Sequence, residues 1–277
     1  RRYVIDSFLL TFFFVFGSLI GSFLNVCIYR MPLAESIVWP GSHCSKCKKP
    51  IPWYLNIPLI SYIILRGRCR FCREHISFRY FIVELLTALA FCAFFLRFGL
   101  TFDFFFYSVF ICGLIIATFV DFGHRIIPDE ISLGGIVAGF ILKAAQGLRP
   151  GSYDLSPALD SFLGILAGGG IIFLMGFVFD TVYFKLLKKP PIQGETESMG
   201  GGDVKLLAMI GAFLGWKAAV LTFFLAPFFG IVVGMINLLR KKDHTIPYGP
   251  FLSLAAVVTI FWAEKILNFI FPVQFYR

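Results

Sequence analysis

Charge is what this chain has least of. Only 15% of its 277 residues are Asp, Glu, Lys or Arg, where a soluble domain carries about 25%. That shortfall excludes an ordinary water-soluble enzyme. Acidic residues are the scarcer sign, 16 against 25 Lys and Arg. No Gly-X-Y period, no low-complexity tract and no internal repeat is present, so collagen-like structure is excluded. No signal peptide with a small-residue cleavage site and no C-terminal lipidation box is visible. The start, Arg1-Arg2-Tyr3 without Met, reads as trimmed. No nucleic-acid motif accompanies the basic excess.

What the chain has instead is apolar bulk. Hydrophobic residues make up 58% of it, with 36 Phe, and the mean hydropathy is +0.83. Aromatics at 18% exclude disorder. The core is therefore expected in lipid. A bilayer-crossing helix needs about 20 mostly apolar residues. Eight segments qualify as candidates: roughly 7–29, 80–98, 104–121, 131–147, 158–184, 203–216, 218–239 and 250–271.

The net charge of +9 lies between these segments. Segment 30–79 alone holds nine basic residues, among them Arg30, Lys46, Arg66 and Arg79. Lys185, Lys188 and Lys189 follow in a later loop, and Arg240, Lys241 and Lys242 in another. Eight crossings put these loops and Arg125 on one face, leaving mainly Arg97, Lys143, Arg149 and Lys217 on the other. The positive-inside rule makes the loaded face cytoplasmic and puts both termini outside. The expected fold is an all-α polytopic membrane protein. It has about eight transmembrane helices and a small irregular cytoplasmic domain between helices 1 and 2. The domains expected are 1–29, a first span; 30–79, a four-cysteine domain; and 80–277, a second membrane domain.

Two helix features stand out. Small-xxx-small pairs recur at Gly17/Gly21, Gly135/Gly139, Gly164/Gly168, Gly211/Gly215 and Gly230/Gly234, and such spacing lets backbones approach closely. The break at Gly215-Trp216-Lys217 leaves a sixth helix of about 14 residues, too short at ~21 Å to cross the ~30 Å core. Its start, Asp203, is therefore expected below the head groups in a wet pocket.

Of seven Cys, Cys27, Cys92 and Cys112 lie within apolar spans and read as small buried side chains. Cys44, Cys47, Cys69 and Cys72 form C-x2-C-x21-C-x2-C. Two such knuckles make a closed tetrahedral thiolate site for structural Zn2+. Two disulfides are the alternative, disfavoured in a reducing cytoplasmic loop. His43 and His75 read as surface or outer residues of that site.

Asp121 ends the third span and Asp203 opens the sixth, both on the cytoplasmic side. Carboxylates near hydrocarbon are functional candidates by default. Two that face each other share a proton. Such a pair can activate water while polarising a peptide carbonyl. Gly200, Gly201 and Gly202 before Asp203 allow close approach or positive φ, which suits a docked peptide strand. Plainer readings stand beside this one. Asp203 can serve as a helix N-cap, and Asp121 as a helix-end residue facing water. Asp129 after Pro128 reads as a cap. Lys205 either snorkels or steadies Asp203. His124 and Arg125 fit simple orientation signals. Asp6, Asp154 and Asp160 read as solvated caps on the outer side. Asp180 and Glu84 fall inside spans, and capping does not explain them. A secondary transporter or channel also uses intramembrane carboxylates and short helices. A membrane scaffold that docks partners through its zinc domain is a third possibility.

In order, these motifs resemble those of the bacterial type IV prepilin peptidases. Gly21-Ser22-Phe23-Leu24-Asn25-Val26 with Tyr29-Arg30-Met31-Pro32 is similar to the family's opening signature. The Cys knuckles enclose Asn56-Ile57-Pro58-Leu59-Ile60-Ser61 and Arg66-Gly67-Arg68, and Ile76-Ser77-Phe78-Arg79-Tyr80 with Glu84 follows. Asp121 with Ile127-Pro128-Asp129 resembles the first aspartate box. Gly200-Gly201-Gly202-Asp203-Val204-Lys205-Leu206 resembles the GxGD box of intramembrane aspartyl proteases. Ile246-Pro247-Tyr248-Gly249-Pro250-Phe251 is similar to the last cytoplasmic loop.

The resemblance covers nearly the whole chain. It implies an enzyme of the bacterial inner membrane that cleaves the basic leader of prepilins or secretion pseudopilins on the cytoplasmic side. It further implies N-methylation of the new terminus with S-adenosylmethionine, because the four-cysteine domain accompanies the bifunctional members. Asp121 and Asp203 are then the catalytic pair, supported by Gly200, Gly202 and Lys205. Glu84, Asn25 and Arg30 are the expected methyl-donor residues, because they lie in the motifs at the membrane edge of the cysteine domain. Membrane lipid is the other expected partner.

Overall fold

A computed structural model describes residues 2–149, 152–186, 200–239 and 247–270. Lys188, Lys189, Arg240, Lys241, Lys242 and Ile246 lie outside the described residues. The described chain is helical: α1 (Arg2–Arg30), α2 (Ile60–Ile64), α3 (Arg79–Phe98), α4 (Phe102–His124), α5 (Asp129–Gly147), α6 (Ser156–Asp180), α7 (Gly201–Leu214), α8 (Trp216–Leu239) and α9 (Gly249–Ile270). One minimal hairpin pairs Leu148–Arg149 with Ser152–Tyr153.

All helices except the single-turn α2 fall on the eight apolar segments. Six of them are long and apolar enough to cross a membrane: α1, α3, α4, α6, α8 and α9. The expectation of eight crossings is thus met by six candidate spans. The other two fall short for separate reasons. α5 carries Asp129, Glu130 and Lys143 on 19 residues, and α7 has only 14 residues. Gly215, at φ +85°, closes α7 before α8 begins; that conformation suits Gly because it lacks Cβ.

The chain divides into two compact units, Arg1–Val120 and Asp121–Arg277. In the first, α1 packs along α3. A Cβ on Gly21 would come within 2.7 Å of the Glu84 Cα, and one on Gly17 within 2.9 Å of the Ala88 Cα. The glycine stripe is what brings these backbones together. Phenylalanine does the rest. Phe13 meets Phe95 at 4.9 Å and Phe104 at 4.8 Å between ring centroids, and Phe98 stacks on Tyr107 at 4.8 Å. Offset and edge contacts of this kind add to the area they bury.

In the second unit α7 is the centre, packed by α5, α6 and α8. A Cβ on Gly164 would collide with the Gly211 carbonyl, and one on Gly168 with that of Leu207. Gly135 and Gly139 make room for the Met209 and Phe213 side chains. Leu206, Leu207, Ile210 and Ala212 are fully buried. By contrast, α6 exposes Phe162, Leu166, Phe173 and Phe177. Small residues inward and large apolar residues outward is the pattern of helices packed in lipid, where no apolar face needs hiding.

The polar caps sort as follows. Asp154 accepts both the N–H and the hydroxyl of Ser156 at 2.9 Å, as a helix-start residue should. Asp160 lies 3.8 Å from Lys143. Asp180 lies inside a span as expected: it is the last α-helical residue of α6, and the candidate span Ser156–Tyr183 runs on through it into a π-helical turn, Thr181–Leu186. Cys27 is buried as expected, while Cys92 and Cys112 are only half-buried.

Candidate functional site

Asp121 sits in the last turn of α4 and is 6% exposed. α4 ends when Arg125, at φ +57°, returns its N–H to the Asp121 carbonyl at 2.9 Å. The chain then runs extended through Pro128 into α5. The Gly249 N–H, opening α9, donates to Asp121 Oδ2 at 3.0 Å. A Cβ on Gly249 would lie 2.6 Å from that oxygen, so glycine is required for this close approach.

Asp203 approaches the same place from α7. Its capping reading is overturned: Gly200 is the N-cap, with no side-chain cap bond, and Asp203 is the third helical residue. Its N–H donates to the Gly200 carbonyl at 3.0 Å, and the carboxylate, half-buried, is left for other work. The three glycines are not used for positive φ; Gly200 is extended at φ −67°. Gly202 is used for contact, since a Cβ there would lie 3.3 Å from Ile127 Cβ. Ile127 is also 3.3 Å from a Cβ placed on Gly249. One buried isoleucine thus separates the start of α7 from the start of α9, and Asp203 lies within electrostatic reach of Asp121. Burial, with the charge of Asp203, pushes the half-buried Tyr248 phenol up to about 12. Lys205 pairs with Asp129 at 2.6 Å, tying the loop after Asp121 to α7. The cap expected at Asp129 is overturned as well: Pro128 is the N-cap, with no side-chain cap bond, and Asp129 is the first residue of α5 and an ion-pair partner instead.

In the first unit the four ligand atoms of Cys44, Cys47, Cys69 and Cys72 lie within 4.8 Å of one another. Cys44 and Cys72 sulfurs are 3.8 Å apart. A tetrahedral site with Zn–S of ~2.3 Å has edges of about 3.8 Å, so the donor set and its spacing fit zinc. All four are free thiols, against the disulfide alternative. The Cys72 backbone N–H draws the Cys69 thiol down to about 7, while desolvation and the neighbouring sulfurs hold Cys72 up at about 11, so the cluster favours one thiolate among hydrogen-bonded thiols. The bridges His43 with Pro50 and Arg68 with His75 flank the knuckles.

A cavity of about 400 Å³ opens beside this cluster. Asn25, Arg30 and Glu84 all line it, with Cys44, Cys69 and Arg79. Glu84, 8% exposed, accepts the Leu59 N–H at 2.8 Å. Leu59 holds φ +61° to aim that N–H, a rare conformation for so large a side chain. Asn25 is 3% exposed and donates Nδ2 to the Tyr80 carbonyl at 3.0 Å. Arg30 gives its two terminal nitrogens to the carbonyls of Ser36 and Gly41, at 2.9 and 3.2 Å. Among the described residues, Asn25 Oδ1 and Arg79 Nε are buried without a hydrogen-bond partner.

Comparison with known proteins decides the family. Residues 15–98 match the bacterial peptidase A24 N-terminal domain, and residues 108–235 the type IV leader peptidase family. A prepilin leader peptidase/N-methyltransferase of Aeromonas hydrophila is 32% identical over 91% of this chain and 90% of its own length. The chain belongs to the type IV leader peptidase family. A relative of the same name from Myxococcus xanthus is 40% identical over 82% of this chain, which spans 63% of that relative's length. A third, from Pseudomonas aeruginosa, is 31% identical over 90% of this chain and 89% of its own. No solved structure matches.

For a leader peptidase the informative surprises are Gly249, Ile127 and Arg79. Each lies in a family motif, but its role depends on contacts across the fold. Gly249→Ala is expected to slow precursor cleavage by about 10²-fold, since a misplacement of about 1 Å can cost that much. The comparison of kcat with wild type, at unchanged thermal stability, checks it; unaltered kcat means the Gly249–Asp121 contact is dispensable.

Proposed function

We propose that this chain cleaves the leader of type IV prepilin-like precursors with Asp121 and Asp203. The reading rests on one observation: α4, α7 and α9 bring these carboxylates to a common niche around Ile127. A donated backbone N–H suits a charged oxygen, so Asp121, held by Gly249, is the general base. It takes a proton from water as the water oxygen attacks the scissile carbonyl carbon. Asp203, protonated, gives its proton toward the carbonyl oxygen. The C–N bond then breaks, and the amine leaves with a proton returned from the pair. Gly200 leaves room beside Asp203 for the peptide, Gly202 lets α7 seat against Ile127, and Lys205 fixes the loop through Asp129.

The same chain N-methylates the new terminus. Asn25, Arg30 and Glu84 form the methyl-donor site beside a Zn2+ held by Cys44, Cys47, Cys69 and Cys72. S-adenosylmethionine supplies an electrophilic methyl group there. The enzyme sits in the bacterial inner membrane with α5 and α7 completing eight membrane-embedded helices. Segment 30–79 is the zinc domain, facing the cytoplasm, and 80–277 the protease domain. Prepilins or pseudopilins enter through lipid, with the basic leader in the cytosol. Full-length protein in liposomes should release the leader of a synthetic precursor and label its new N-terminus from S-[methyl-³H]adenosylmethionine. Ion or solute flux without cleavage would instead support a transporter. Glu84→Gln is expected to keep cleavage and lose at least about tenfold of the labelling; equal labelling removes Glu84 from the donor site.

A further inference from the structure

We propose that the cavity beside the cysteine cluster binds the α-amino-acid end of the methyl donor, its ammonium against Asn25 and Glu84 and its carboxylate against Arg79. This rests on the methyl-transfer reading above and adds where and how the donor is held. The volume, about 400 Å³, lies in the ~300–1,000 Å³ range of small-molecule sites. Two lining residues carry orphaned atoms of opposite kind, the acceptor Asn25 Oδ1 and the donor Arg79 Nε. A buried polar atom left unpaired is costly, and a ligand that satisfies it recovers that cost. The Asn25 amide cannot simply turn over, because Nδ2 is engaged by the Tyr80 carbonyl.

The charges point to a zwitterion. Glu84 and Asn25 Oδ1 offer acceptors to a cation, and Arg79 offers a guanidinium to an anion. A peptide's new N-terminus brings the ammonium without a carboxylate on the same carbon, whereas the donor brings both. Arg30 differs from the other two expected donor residues. Both its terminal nitrogens are engaged by the Ser36 and Gly41 carbonyls, which makes it a positioning residue for the irregular segment entering the cysteine cluster.

The test is direct binding to the full-length protein in detergent, with two probes. S-adenosylhomocysteine carries the amino-acid end; 5′-methylthioadenosine lacks it. Wild type should bind the first about tenfold or more tighter than the second. Asn25→Leu and Arg79→Gln should each weaken S-adenosylhomocysteine about tenfold and leave methylthioadenosine within a factor of about two. Arg79→Lys should recover part of the loss. Unchanged S-adenosylhomocysteine affinity in both variants overturns the placement, as does an equal loss for both probes. Wild type that cleaves precursor yet binds neither probe overturns the methyl-transfer reading itself.

Discussion

Asp121→Ala or Asp203→Ala lowers kcat for precursor cleavage by about 10³-fold or more, the size of a lost general acid or base. The two losses do not add. A water poised between two carboxylates needs both, so the double variant should be no slower than the worse single one. Asp→Asn should be nearly as damaging as Asp→Ala, because the amide can neither take nor give the proton. That near-equality separates chemistry from packing: a purely structural carboxylate would tolerate the isosteric amide. Methyl transfer to an already cleaved, synthetic N-terminus reports on residues of the other compact unit and serves as the folding control. Turnover within tenfold of wild type in any single variant removes that residue from the pair.

Helix positions and the aspartates were legible in sequence because they are local signals. Twenty-odd apolar residues announce a span, and four cysteines in two knuckles announce a metal. The 14-residue α7 was readable from its Gly215 break. What sequence could not supply is partnership. Gly200–Gly202 suggested positive φ, yet only Gly202's proximity to Ile127 is used. Asp203 looked equally fit to cap its helix, and only the fold shows Gly200 in that position. Asp129 finds Lys205, 76 residues away, and Gly249 finds Asp121 across 128. The glycine pairs advertised close helices without saying which. The six-span result follows from two helices: α7, too short at 14 residues, and α5, whose polar first turn lowers its hydropathy while its glycines still pack it on α7.

Removing zinc should be the most disruptive change in the first unit. The segment between Cys44 and Cys72 buries almost nothing apolar: Trp53 is 81% exposed, Ile64 72%. The Lys46–Glu74 pair, at 2.8 Å, is solvent-exposed and therefore worth little. A fold with so small a core needs a staple, and a structural zinc site supplies roughly 10–16 kcal/mol of folding free energy. Chelation, or Cys69→Ser, should therefore open the segment. Trypsin should then cut at Arg66, Arg68, Arg70 and Arg73 at least about 10²-fold faster, following the population of the open form. Methyl-donor binding should fall with it, because Cys44 and Cys69 also line that cavity. Zinc content near one ion per chain, and all seven thiols alkylated after denaturation without reductant, belong to the same expectation. Unaltered trypsin resistance after complete metal removal would mean that the chain, and not the ion, holds the segment together.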